Sequence, residues 1–180
     1  MARPNHSRFV ILGFLADRPR SGYDIRKAVE GSLGNFWNES FGQIYPALRD
    51  LEAEGLVLKV PGDGGGRERQ AYTLTPPGRA ALDAWLGTPA SAHTYRVEAL
   101  VKTFFGPLTG PAAVLGHVAR FRAEHEALLA KYKDIGAHLE ADHAGDPGLP
   151  YWKLTVDCGL KVGAAYLAWC DEAERVLKKL

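Results

Sequence analysis

The sequence predicts a mainly α-helical chain with one small β-hairpin, and three observations carry that expectation. Three short helical segments precede residue 56, two β-rich runs flank a glycine-dense loop over residues 56–75, and two much longer helical patterns fill the second half. A length of 180 residues with 46% hydrophobic content suits one large folded domain or two small ones. The formal net charge is only +1 and is evenly divided: residues 1–88 hold 11 Lys and Arg against 10 Asp and Glu, and residues 89–180 hold 11 against 11. No global basic field announces a polyanionic partner. A nucleic-acid footprint would have to be local, at Arg3 and Arg8, Arg26 and Lys27, Arg49, or Lys59 with Arg67 and Arg69.

In chain order, Ser7 is the expected cap of an apolar helix reaching about Ala16. Asp17–Gly22 follows as a turn, and Ser21 with Asp24 three residues on predicts a capped helix to about Leu33, with Ile25, Ala28 and Val29 on its inner face. Ser40 with Gln43 repeats that capping pattern. Phe41, Ile44, Leu48 and Leu51 then recur at helical spacing, leaving Gln43, Arg49, Asp50 and Glu54 outside the stripe, and Gly55 ends the helix. Pro46 would lose a hydrogen bond six places after the cap, so either regular helix starts nearer Gln43 or the first turns are kinked. Leu56–Val60 and Gln70–Thr75 read as strands joined by a polar, glycine-rich loop over 61–69. Three helices followed by a hairpin make a winged helix-turn-helix, with Arg67 and Arg69 near the wing tip. That loop lacks the spacing of a phosphate-binding loop and opens no helix. Pro76 or Pro77 starts a fourth helix to about Leu86.

Gly87–Ala92 is small and turn-rich, which divides the chain into a domain over 1–87 and a second, all-helical one over 93–180. The second opens with a helix over Tyr95–Phe105, stopped by Gly106-Pro107. From Pro111 to about Ala144, Val114, Val118, Phe121, His125, Leu128, Tyr132, Ile135 and Leu139 step by four and three as a heptad seam. His125 inside it is an interface histidine or, alternatively, a ligand or pH-responsive group. A last helix from about Tyr151 to Leu180 is apolar on two sides, through Leu154, Cys158, Val162, Ala165, Trp169, Ala173 and Val176 on one and Val156, Leu160, Gly163, Leu167, Cys170 and Leu177 on the other. Such a helix needs two neighbours. The preceding long helix can cover one side, and a second copy of the chain is the economical cover for the other.

The remaining chemistry is sparse. Cys158 and Cys170 stand ~18 Å apart on one helix, too far to bridge within it, and read as small buried residues of a cytoplasmic protein or as a redox-responsive thiol. No cofactor motif, metal-ligand spacing or catalytic set is present, so no cofactor, metal or enzymatic activity is expected. No run approaches the ~18 apolar residues of a membrane span.

The string Ser40-Phe-Gly-Gln-Ile-Tyr-Pro46, with Leu48, Leu51, Glu52 and Gly55-Leu-Val57 after it, resembles the recognition helix of PadR-family transcriptional regulators. Gly22-Tyr-Asp-Ile25, Phe36-Trp-Asn38 and Tyr72-Thr-Leu-Thr-Pro-Pro-Gly-Arg79 fit the same family. Val97–Phe105 and Tyr151-Trp-Lys-Leu-Thr155 resemble the C-terminal helical dimerisation domain of its longer members. The resemblance implies a homodimeric repressor of double-stranded DNA, relieved by a small aromatic or drug-like effector. Base reading then falls to Gln43, whose amide matches adenine, and to Arg49 or Tyr45 if they face the groove. Ser40, Tyr45, Arg67 and Arg69 are phosphate candidates, though Tyr45 could instead pack beside Ile44. Tyr95, Phe104, Phe105, Trp152, Tyr166 and Trp169 are candidate walls of an effector pocket, and core packing explains them equally well. The alternative is a winged-helix protein-interaction module without specific DNA binding.

Overall fold

The computed structural model describes residues 6–34, 36–37, 44–62, 70–92 and 96–180. Its first helix, α1 (Ser7–Phe14), is followed by a two-residue strand β1 (Arg20–Ser21) and by α2 (Gly22–Ser32). Ser7 is the first helical residue and not the cap; His6 holds the cap position without a side-chain hydrogen bond. The capping box before α2 forms as expected: the Asp24 amide donates to the Ser21 hydroxyl, and the Ser21 amide donates to the Asp24 carboxylate, both at 3.2 Å.

Helix α3 spans Ile44–Ala53 in the described chain, so Pro46 stands third in it. The start expected near Gln43 lies outside the described residues. The C-terminus closes on Gly55, whose φ of +72° only glycine adopts without strain. The Leu56 amide donates to the Leu51 carbonyl and the Gly55 amide to that of Glu52, both at 2.9 Å, which makes a Schellman stop.

Strands β2 (Val57–Pro61) and β3 (Gln70–Leu74) follow, and the sheet order is β1-β3-β2, antiparallel throughout. Val57 faces Leu74, Lys59 faces Tyr72, and Arg20 of β1 faces Tyr72 from the other side. The expected two-stranded hairpin is therefore a three-stranded sheet, because part of the Asp17–Gly22 turn pairs with β3. Thr75 caps the next helix, α4 (Pro76–Leu86): its hydroxyl accepts from the Gly78 amide at 3.1 Å and donates to the Gly55 carbonyl at 2.8 Å. Ile11 and Leu12 of α1, Ile25 of α2, Leu48 and Leu51 of α3 and Val57 of β2 close one core and are all but fully buried. Phe9 stacks on Trp85 of α4 with ring centroids 4.8 Å apart.

The chain divides into two compact units, Met1–Ala92 and His93–Leu180. In the second, α5 (Glu98–Phe104) and a short 3-10 turn (Gly106–Leu108) lead into α6 (Pro111–Asp142) and α7 (Leu149–Leu177). At ~1.5 Å per residue α6 is roughly 48 Å long. The two long helices run antiparallel: Phe121 meets Trp169, Tyr132 meets Gly159, and Glu140 pairs with Lys153 near the connecting turn. On α7 the packed seam runs through Val156, Gly159, Gly163, Tyr166, Cys170, Ala173 and Leu177. A Cβ placed on Gly159 would lie 2.3 Å from the Tyr132 ring, so that ring occupies the space a side chain would fill. Arg122 of α6 closes the seam's edge with hydrogen bonds to Asp171 at 2.7 Å and Glu174 at 3.0 Å.

The seam thus draws chiefly on the stripe of Val156, Gly163 and Cys170, while Leu154, Cys158, Val162, Ala165 and Val176 remain exposed within the chain. Burial of both cysteines is accordingly corrected. Cys170 is buried, with burial raising its thiol pKa, whereas Cys158 is exposed.

Candidate nucleic-acid interface

Helix α3 separates into two faces. Ile44, Ala47, Leu48 and Leu51 are buried, while Tyr45 keeps 53% of its surface and Arg49, one turn on, is exposed. Burying the four inward residues, each worth ~1–3 kcal/mol, fixes the helix's rotation and so decides which residues point away. Arg49 makes no ion pair among the described residues. Its guanidinium is a donor fork held on a helix, with no carboxylate paired to it among the described residues, a suitable group for a phosphate or a guanine edge.

Tyr45 does not pack beside Ile44 alone. Its ring lies against the first turn of α2, where a Cβ on Gly22 would come within 2.7 Å of Tyr45 Cε1. Tyr23, 57% exposed, and the exposed Arg26 and Lys27 extend this surface along α2. Arg26 Nε donates to Glu30 at 2.8 Å. That bond, the Glu30 charge, and smaller contributions from Tyr45 and Tyr23 hold the guanidinium pKa above its ordinary value, against slight desolvation. Tyr23 was missed in the sequence reading; the signal was the recurrence of non-apolar residues at 23, 26, 27 and 30, opposite Ile25 and Val29.

Other cations are committed within the fold. Lys59 pairs with Glu52 at 2.7 Å, a hydrogen bond that raises its ammonium pKa. Arg8 pairs with Glu54, Arg20 with Asp17, and Arg79 donates to the Ala16 carbonyl. Of the local cluster Lys59, Arg67 and Arg69, the first is therefore tied to α3. Ser40, Gln43, Arg67 and Arg69 lie outside the described residues, so of the six DNA-contact candidates the structure places Tyr45 and Arg49.

The effector candidates of the second unit do not form one group. Tyr166 and Trp169 meet Phe121 edge-on, at 5.2 and 5.7 Å between centroids, and His125 joins them, 4.1 Å from Phe121 and 4.6 Å from Tyr166. His125 Nδ1 bonds the Phe121 carbonyl at 2.8 Å. Trp152 is elsewhere, ~21 Å from Tyr166 along the α7 axis, against His143 at the helix connection. Phe104 and Phe105 are exposed and pack edge-on against each other, and Tyr95 lies outside the described residues. Among the described residues no group of three or more His, Cys, Asp or Glu side chains could hold a metal ion, and no helix is long and apolar enough to cross a membrane.

Comparison with known proteins agrees with this architecture. The model of the transcriptional regulator PadR-like family matches residues 11–84, and that of the virulence activator alpha C-terminal region matches 95–178. The negative transcriptional regulator PadR of Bacillus subtilis is 35% identical over 178 residues, covering 96% of this chain and 97% of that protein. Its crystal structure in complex with operator DNA superposes with a TM-score of 0.81 at 25% identity, over 95% of this chain and 98% of that one. The same protein crystallised with p-coumaric acid gives 0.76 at 24% identity, over 95% and 98%. The Vibrio cholerae virulence activator AphA gives 0.76 at 30% identity, over 96% and 98%.

Proposed function

We propose that this chain, which belongs to the PadR-like family of transcriptional regulators, is a homodimeric, sequence-specific repressor that binds an imperfect palindrome in duplex DNA and is released by a small aromatic effector. The observation that carries the reading is the division of α3: one side is fully committed to the core, and the other presents Tyr45 and Arg49, which makes no ion pair among the described residues. A relative solved in complex with operator DNA supports duplex DNA as the partner. Gln43, two residues before Tyr45, is the proposed base reader, and Arg67 and Arg69 the proposed wing contacts to phosphate.

Dimerisation is supported by the exposed face of α7, where Leu154 retains 65% of its surface, Val162 49% and Val176 45%. A monomer in water has no use for such a stripe, and a second copy would cover it with the same stripe. Two-fold symmetry would then set the two α3 helices about one helical turn of DNA apart, ~34 Å. Effector binding is proposed at the Phe121, His125, Tyr166 and Trp169 cluster, with p-coumaric acid as first probe because the Bacillus relative was crystallised with it.

The test is binding of the purified protein to DNA tiles spanning its own promoter region, at two salt concentrations and with excess random DNA. One palindromic tile held by one dimer against competitor is the expected result, weakened by the effector. Salt-sensitive binding that random DNA abolishes would remove sequence specificity. No binding to any tile at low salt would favour the interaction-module reading.

A further inference from the structure

We infer that Gly22 is a positioning residue of the DNA interface: its missing side chain is the seat for the Tyr45 ring, and that seating lets the Tyr45 hydroxyl and the Arg26 guanidinium take one backbone phosphate between α2 and α3. The inference rests on the DNA-binding reading above. The Gly22 φ is not positive, so the backbone does not demand glycine there, and at a first helical position alanine would serve the helix better. What demands glycine is proximity. A Cβ at residue 22 would meet Tyr45 Cε1 at 2.7 Å, Tyr45 Cδ1 at 3.2 Å and Leu48 Cδ1 at 3.3 Å.

These neighbours respond differently. Leu48 is fully buried and held by the core, whereas Tyr45 is 53% exposed and can swing. A side chain at 22 therefore pushes the ring into solvent and leaves the core in place. Arg26 lies one turn after Gly22 on the same face of α2, which is the face Tyr45 covers. Smaller charge contributions from Tyr45 and Tyr23 accompany that of Glu30 at Arg26, in keeping with the nearness of the three side chains. A neutral hydroxyl donor beside a guanidinium is a common phosphate-binding pair, since both donate and neither carries negative charge. Glu30, bonded to Arg26 at 2.8 Å, is the carboxylate that an incoming phosphate would displace.

The experiment compares the full chain and the variants Gly22→Ala, Tyr45→Ala and Gly22→Ala/Tyr45→Ala on the bound promoter tile and on a random duplex of equal length. The expected loss is about tenfold for each variant and no larger for the double, because all three remove the same contact. It should be equal on both duplexes, since phosphate contacts carry no sequence. Arg26→Gln should lower the salt slope by about one, and Glu30→Gln should tighten binding. The melting curve of Tyr45→Ala should be unchanged. If Gly22→Ala binds like the parent chain, or the double variant binds more weakly than Tyr45→Ala, the positioning role is overturned while the DNA-binding reading stands. Should Gly22→Ala fail to fold, Tyr45→Ala against the double variant decides by the same criterion, because removing the ring removes the clash. A parent chain that binds no duplex at low salt overturns both.

Discussion

The two units bury their apolar residues in different ways. The first wraps its four described helices and a sheet around Leu12, Ile25, Leu48 and Val57, each fully buried, and closes on itself. The second is essentially a long helical hairpin, in which Val114, Val118, Phe121 and Cys170 form a buried cluster at one end while Leu154, Val162 and Val176 stay exposed along α7. Three or more elements can enclose a core; two long helices offer each other one face and leave the rest uncovered. The first unit therefore has the makings of a self-sufficient scaffold for a surface, and the second those of half an assembly.

That contrast can be broken most sharply in the first core. Leu48→Ala should cost ~2–5 kcal/mol, seen as a lower urea midpoint at any protein concentration, because its cavity opens in a closed core. Val162→Glu should act in the opposite manner. It should leave the helical content of the isolated chain unchanged and weaken self-association by ~2 kcal/mol or more, measured by sedimentation over a dilution series. A dimer unaffected by that charge would show that another surface joins the copies. Gly159→Ala should cost ~1–3 kcal/mol, since the Tyr132 ring already fills that space and has little room to retreat.

The smallest effect expected is with acid. Hydrogen bonds from Arg122 and then Lys178 lower the Glu174 pKa below its ordinary 4.5. A depressed carboxylate contributes stability that is complete above the ordinary value and lost as pH falls through the lower folded one. Unfolding of the hairpin should therefore ease slightly below about pH 4, and Arg122→Gln should reduce that dependence, with the Lys178 contribution to Glu174 remaining.

Much of the fold was legible because it is written in local chemistry. Ser21 with Asp24, Gly55 and Pro76 each act within a few residues, and all three stand where the rules for helix ends put them, whereas Thr75, read as the end of a strand, is the cap of α4. Strand β1 was not legible, since two residues show no alternation and pair only because β3 is present. The α7 seam was half legible: a helix apolar on two sides announces two contacts without saying which face meets α6. The same holds for the candidate site. The outward turn of Arg49 follows from the Ile44, Leu48 and Leu51 stripe, but the contact of Tyr45 with Gly22 joins residues twenty-three apart and needs the packing of α2 on α3.

The hydroxyl of Thr75 joins two helices that the chain separates by an entire hairpin. It bonds the carbonyl of Gly55, where α3 stops, and the amide of Gly78, where α4 starts, while its own amide bonds the Leu56 carbonyl. A loop would absorb a tilt of α4; three hydrogen bonds at one residue transmit it. Mechanically, the end of α3 and the beginning of α4 are a single joint, so force applied to α4 reaches α3 directly.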